Sequence, residues 1–185
     1  MKQQTRYLKE MEKVVFDKNF AKENPDLELY YIYRGVKKEN GIRYDITVIP
    51  PQMLGEEFVR TKGHYHANDF QELYTVLEGE AIFFFQKGKE KIEGVIVIQA
   101  KKGDWVLVPR EYAHITINPS KKELKIGNWV SEKCENLYQP LEKMGGPCYF
   151  YTIDGWIKNK NYEEVPELRF EKPLKEKPKN LDFLD

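Results

Sequence analysis

The 185 residues contain only three histidines, and their placement points to one piece of chemistry. Two sit in Gly63-His64-Tyr65-His66, and the third ends the run Pro109-Arg110-Glu111-Tyr112-Ala113-His114. In an extended strand, residues i and i+2 face the same way, so His64 and His66 can aim at a single point. Glu72 opens a strand-like run shortly afterwards and could supply a carboxylate. With His114, the set becomes three imidazoles and one carboxylate, His64, His66, Glu72 and His114. Such a set suits a divalent transition metal and leaves positions open on an octahedral ion. The cofactor expected is therefore one divalent transition metal, and iron, manganese, nickel, cobalt and zinc all accept these donors. An isolated His-x-His pair recurs by chance. The context of the third histidine is what lifts these four residues above coincidence.

Four side chains from separate stretches can meet only if many short elements fold them together. Leu27 to Tyr33 alternates aromatic and β-branched residues as a strand does, and Asn40-Gly41 is a strong hairpin signal before a second strand at Arg43 to Ile49. Pro50-Pro51 stops that strand. Further strands are expected at 57–60, 72–77, 81–86, 94–99, 104–109, 114–118 and 124–130, mostly separated by glycines or charged clusters. This spacing predicts an all-β sandwich or barrel. Short helices are expected at its edges, over 17–22 and over 136–144, the latter with Asn136 as its cap and Gly145-Gly146 as its stop. The stretch from 165 to 185 is charged, rich in proline and without periodicity. The expected organisation is a single domain with an N-terminal arm over 1–155, then a charged extension over 156–185, packed on the surface or partly disordered.

Thirty basic residues balance thirty acidic ones, so no basic surplus favours nucleic acid or an anionic membrane. No stretch approaches the roughly 20 apolar residues that span a bilayer, and the N-terminus has no secretory core. Cys134 and Cys148 lack metal or redox spacing and read as reduced thiols, which places the chain in the cytoplasm.

The two histidine contexts resemble the two motifs of the cupin superfamily. The first is His-x-His, then Glu72 and Gly79; the second is Gly103, Pro109, His114 and Asn118. Glu111 departs from it, standing where a glycine is common, and the His66–Glu72 spacing is longer than usual. The resemblance implies a cupin-type double-stranded β-helix, a jelly-roll barrel with short peripheral helices. A narrower likeness lies in Thr61-Lys62-Gly63-His64-Tyr65-His66, followed by Glu72-Leu73-Tyr74 and Leu77-Glu78-Gly79. This string resembles the cupin-type phosphoglucose isomerases known mainly from archaea, and the likeness runs from about residue 6 to residue 155.

That resemblance implies interconversion of glucose 6-phosphate and fructose 6-phosphate, an aldose–ketose isomerisation serving glycolysis and gluconeogenesis, by a cis-enediol route or a metal-assisted hydride shift. It places Thr47, Thr61 and Gly63 at the phosphate, Glu72 and Tyr74 at the reacting carbons, and Tyr138 near the sugar. Asn136 and Val130 depart from it, standing where a histidine and a tyrosine are expected. Lys62, by the period-2 rule, faces away from His64 and reads as a surface or interface residue. Closed barrels of this kind often pair, so a homodimer is expected, with the aromatic segment 27–36 as a candidate edge. The alternatives are another cupin metalloenzyme, such as an oxygenase or a different sugar-phosphate isomerase, and a non-catalytic sugar-binding cupin.

Overall fold

The computed structural model describes residues 3–184. The chain opens with strand β1 (Gln3–Tyr7), a 3-10 turn and a short helix α1 (Lys18–Glu23). Asp17 caps that helix, its carboxylate accepting from the N–H groups of Asn19 and Phe20 at 3.0 and 2.9 Å. A long hairpin follows, β2 (Glu28–Glu39) and β3 (Ile42–Ile49). Its turn residues Asn40 and Gly41 have φ of 50° and 78°. Two successive left-handed residues make a type I′ turn, which is why Asn-Gly stands there.

After β3 come three two-residue pieces, β4 (Met53–Leu54), β5 (Glu57–Phe58) and β6 (Tyr65–His66). The central strands β7 (Glu72–Glu78), β8 (Glu80–Lys87), β9 (Gly94–Lys101), β10 (Trp105–Val108), β11 (Tyr112–Ile117) and β12 (Leu124–Ser131) lie where alternation places them. The helix expected from Asn136 does not begin there. Asn136 and Leu137 instead form β13 (Asn136–Leu137), paired with His66 and Tyr65. Tyr138 is the cap of helix α2 (Gln139–Lys143), and Pro140 sits in its first turn, where a missing N–H costs nothing. The hairpin β14 (Tyr149–Thr152) and β15 (Gly155–Lys158) was not evident from periodicity. Lastly, β16 (Arg169–Glu171) pairs in parallel with β9.

Two main sheets carry the fold, ordered β1-β2-β3-β12-β7-β10 and β11-β8-β9-β16. Their inner faces share one apolar core, with Leu29, Ile49, Val76 and Ile126 from the first meeting Phe83, Phe85, Ile96 and Ala113 from the second. This is the expected all-β, cupin-type arrangement. It forms an open sandwich, because among the described residues no ladder joins the two sheets. The segment 27–36 is no edge, since β2 runs between β1 and β3 and β1 occupies the outer position.

Strand β8 shows why Ala81 to Phe85 is apolar throughout rather than alternating. Phe83 and Phe85 face the central core, while Ile82 and Phe84 face a second cluster with Tyr149 and Trp156 of the β14–β15 hairpin. Burial on both faces removes any need for a polar side. The chain after β15 extends this second cluster through Tyr162, Val165 and Leu168, and its end lays Leu184 over Trp129.

One buried ion pair ties the N-terminal segment to the motif region. Arg60 donates to Glu57 at 2.6 Å and to the Val14 carbonyl at 2.6 Å, and the Phe16 N–H donates to Glu57 at 2.8 Å. Every one of these groups has a partner, as burial of charge demands.

Candidate metal centre

Residues 61–63 do not continue a strand, and Gly63 has φ of +80°. A Cβ there would stand 2.4 Å from Ile115 Cγ1, so conformation and packing both demand glycine. This turn delivers His64 against β11, where the His114 N–H donates to the His64 carbonyl at 3.1 Å. His66 follows on β6, Glu72 opens β7 and His114 lies inside β11. One ligand atom from each of His64, His66, Glu72 and His114 lies within 4.8 Å of all the others. Donors sharing one cation at bonds near 2.1 Å stand about 3 to 4.2 Å apart. The four predicted ligands therefore converge.

The details fit a cation. His66 Nδ1 lies 2.7 Å from the Phe70 carbonyl, which can only accept, so Nδ1 holds the proton and Nε2 points to the centre. His66 Nε2 and His114 Nε2 stand 3.2 and 3.1 Å from the same oxygen, Glu72 Oε2. His114 Nε2 nonetheless lacks hydrogen-bond geometry to it, and both ring nitrogens of this buried residue are without a hydrogen-bond partner. A buried imidazole with an unused lone pair, aimed where a carboxylate and two more imidazoles point, has the chemistry of a metal ligand. The second Glu72 oxygen, Oε1, accepts from the Asn128 side chain.

Burial pushes His64 and His114 below the usual imidazole range. His66 goes the other way, to about 10: burial opposes its charge, but hydrogen bonds with Cys134 and Glu72 outweigh it. Glu72 is also desolvated, yet the two facing histidines hold it well below the usual carboxylate range, so it is ionised. Burial and the Glu72 charge push the Tyr74 hydroxyl far up, with Arg34 opposing.

Beside the centre lies a cleft, open to solvent, walled by His64, Glu72 and His114. Thr47, Thr61, Gly63, Tyr74, Asn136 and Tyr138 line the same cleft, so every residue expected around the sugar phosphate faces one space. The Thr61 hydroxyl oxygen accepts from the Thr116 N–H at 3.0 Å, which fixes it on β11. The Asn136 amide donates to the Tyr138 hydroxyl at 3.0 Å. Val130 lines the cleft and offers it no donor.

Lys62 overturns its expected outward placement. Its side chain is 13% exposed, salt-bridged to Glu142 at 2.6 Å and set 4.9 Å from the Tyr138 ring. The period-2 argument fails because Lys62 lies in the turn and not in a strand. Sequence reading also missed Asn128, Arg34, Arg43 and Asp45, all of which line the cleft. The signal was present: Asp45 and Arg43 share the inward face of β3 with Thr47, and Asn128 is a buried polar residue among Ile126, Trp129 and Val130.

Comparison with known proteins agrees with this picture. The family model described as glucose-6-phosphate isomerase (GPI) matches residues 15–167. The glucose-6-phosphate isomerase of Thermococcus litoralis is 32% identical over 127 residues, covering 65% of each chain. That of Pyrococcus furiosus is 32% identical over 123 residues, covering 63% of this chain and 64% of the relative. That of Thermococcus gammatolerans is 34% identical over 98 residues, covering 52% of this chain and 50% of the relative. The chain thus matches half to just under two thirds of the length of these curated relatives. Among solved structures, a recombinant oxalate oxidase in complex with glycolate aligns with a TM-score of 0.49 and 15% identity, covering 60% of this chain and 56% of that one. A cupin-2 domain protein from Shewanella frigidimarina aligns with a TM-score of 0.39 and 19% identity, over 54% and 78% of the two chains. With a family match across most of its length, and with three histidines and a glutamate converging in an all-β sandwich, the chain belongs to the cupin-type glucose-6-phosphate isomerase family.

Proposed function

We propose that this chain is a metal-dependent aldose–ketose isomerase that interconverts glucose 6-phosphate and fructose 6-phosphate. The observation that carries this reading is the convergence of His64, His66, Glu72 and His114 beside a cleft that presents Tyr74, Thr47 and Thr61. The three histidines and Glu72 would hold one divalent transition metal, iron first. A bound cation would polarise the two oxygens on C1 and C2 and stabilise the negative charge that develops there.

The chain's own residues supply the rest. Glu72 is ionised and so able to accept the C2 proton, giving a cis-enediol, and to return it at C1. Tyr74 keeps its proton and can donate to a sugar oxygen as the charge shifts. The low position of Glu72 makes it a weak base, which favours a second reading, a hydride shift between C1 and C2 with Glu72 acting as ligand. Turnover in heavy water separates the two, since only the enediol route exposes the moving hydrogen to solvent exchange. The working assembly is proposed to be a cytoplasmic homodimer. Among the described residues no helix is long and apolar enough to cross a membrane.

The test is a coupled assay of fructose 6-phosphate conversion before and after chelation, with single metals added back. Conversion that disappears with the metal and returns with it is the expected result. Full activity in thoroughly chelated protein would end the metal-dependent reading, and strict dependence on dioxygen would move the chain to oxygenase chemistry.

A further inference from the structure

Four cationic side chains line the cleft: Arg6, Lys62, Arg34 and Arg43. The first two are matched one to one, Arg6 with Glu10 and Lys62 with Glu142, both at 2.6 Å. Arg34 and Arg43 differ. Both lean on the same oxygen of Asp45, at 3.2 and 3.0 Å, so among the described residues two cations share one carboxylate. The other Asp45 oxygen accepts from the Gly35 N–H at 2.7 Å. Asp45 is 2% exposed, which makes it a buried post holding both guanidinium groups at the cleft wall.

Strand register gives the arrangement its place. Asp45 pairs with Asn128, and Asn128 pairs with Tyr74, so these three stand in one row across β3, β12 and β7. Arg43, Val130 and Glu72 form the next row. The surplus positive charge thus sits two strands from the carboxylate of the metal centre, about 10 Å across the sheet at strand spacings near 4.8 Å. That separation suits a molecule with a polar group at the cation and an anionic group several bonds away. Of the other cleft groups, Lys62 is salt-bridged and the Asn136 amide is bonded to Tyr138, while the buried Arg6 Nε has no hydrogen-bond partner and adds a donor to the same space.

We propose that Arg34 and Arg43, fixed by Asp45, form a cationic clamp for the phosphate dianion of the substrate, acting beside Thr47, Thr61 and Gly63 on the same cleft. This inference rests on the isomerase reading for its substrate. The guanidinium fork matches phosphate geometry and stays charged at every working pH. Asp45 is a positioning residue: it orients the two forks and halves their charge, so the pair is held in place without repelling itself apart.

The experiment measures inorganic phosphate binding calorimetrically and fructose 6-phosphate kinetics on the full metal-loaded chain and on two variants, Arg34→Gln and Arg34→Lys. Arg34 is chosen because its side chain is 41% exposed, so its loss disturbs the core least. Arg34→Gln is expected to weaken phosphate binding at least tenfold and to raise KM at least tenfold, with kcat changed less than threefold. Arg34→Lys should fall between it and the parent. Phosphate affinity and KM within twofold of the parent in either folded variant would overturn the clamp, as would a parent chain that binds no phosphate. If Arg34→Gln fails to fold, Arg34→Lys decides alone, with a threefold loss supporting the clamp and unchanged affinity ending it. A parent chain that binds phosphate through Arg34 but isomerises no sugar phosphate would support the clamp while removing the isomerase reading.

Discussion

The carboxylate of Glu72 presents its two oxygens to different partners, one to the histidines and one to the Asn128 amide. Replacing it by the neutral isostere, Glu72→Gln, is expected to lower turnover on the order of a thousandfold, a typical loss for a proton-transfer group. The circular dichroism spectrum should be unchanged, and near-normal rates would remove Glu72 from the chemistry. Asn128→Ala frees the other oxygen and should weaken metal affinity about 10- to 100-fold, measured by chelator competition. Proton balance offers a third check. Without metal, His66 is protonated up to about pH 10, His64 and His114 are held neutral, and Glu72 is already ionised. Loading must therefore expel about one proton, from His66. The sign follows: apparent affinity rises up to about tenfold per unit as pH increases from 6 to 8, and falls as pH drops. Calorimetry in buffers of different ionisation enthalpy counts the proton. At this scale the sequence was most legible for the four residues that converge, because few histidines and a fixed spacing leave little choice. It was least legible for Arg34, Arg43 and Asp45, whose common types and surface-like character conceal that a strand face turns them inward.

Among the elements, the strands with clean alternation or a continuous apolar run were readable because the pattern itself records which faces are buried. The failures share a physical cause. Asn136 has the chemistry of a helix cap, yet the ladder with His66 claims its backbone first. Lys62 obeys no strand rule because Gly63 turns the chain beside it. The β14–β15 hairpin is set by packing against β8, which no local window contains. Glu111 is informative in the opposite sense. It stands where the cupin motif commonly has glycine, and its φ is 66°, in the region that costs an L-residue about 1–2 kcal/mol. Its partner Lys87 also faces Glu93, and the pair with Glu111 is exposed. Glu111→Gly should therefore raise stability by about 1 kcal/mol, or a Tm increase of about 2–4 °C for a chain this size. A lower melting temperature would mean that the side chain contributes more than its strain.

At the scale of the whole molecule, the two main sheets are held together by side-chain packing, without a shared ladder among the described residues. The four candidate ligands do not respect that division. Glu72 belongs to the six-stranded sheet, His114 to the four-stranded one, and His64 and His66 to the turn and short strand outside both. A cation bound there acts as a rivet through both leaves of the sandwich, so loading is also a mechanical event. Chelation should lower the melting temperature, with a loss of about 3–4 kcal/mol if the free metal stands 100- to 1,000-fold above its dissociation constant. Amide exchange should accelerate in β7 and β11 together, and faster exchange in only one of them would show that the leaves are fastened elsewhere. An ion proposed to prepare the sugar for reaction would then also set how far the jaws of the cleft can part, making metal supply a control on durability as well as on rate.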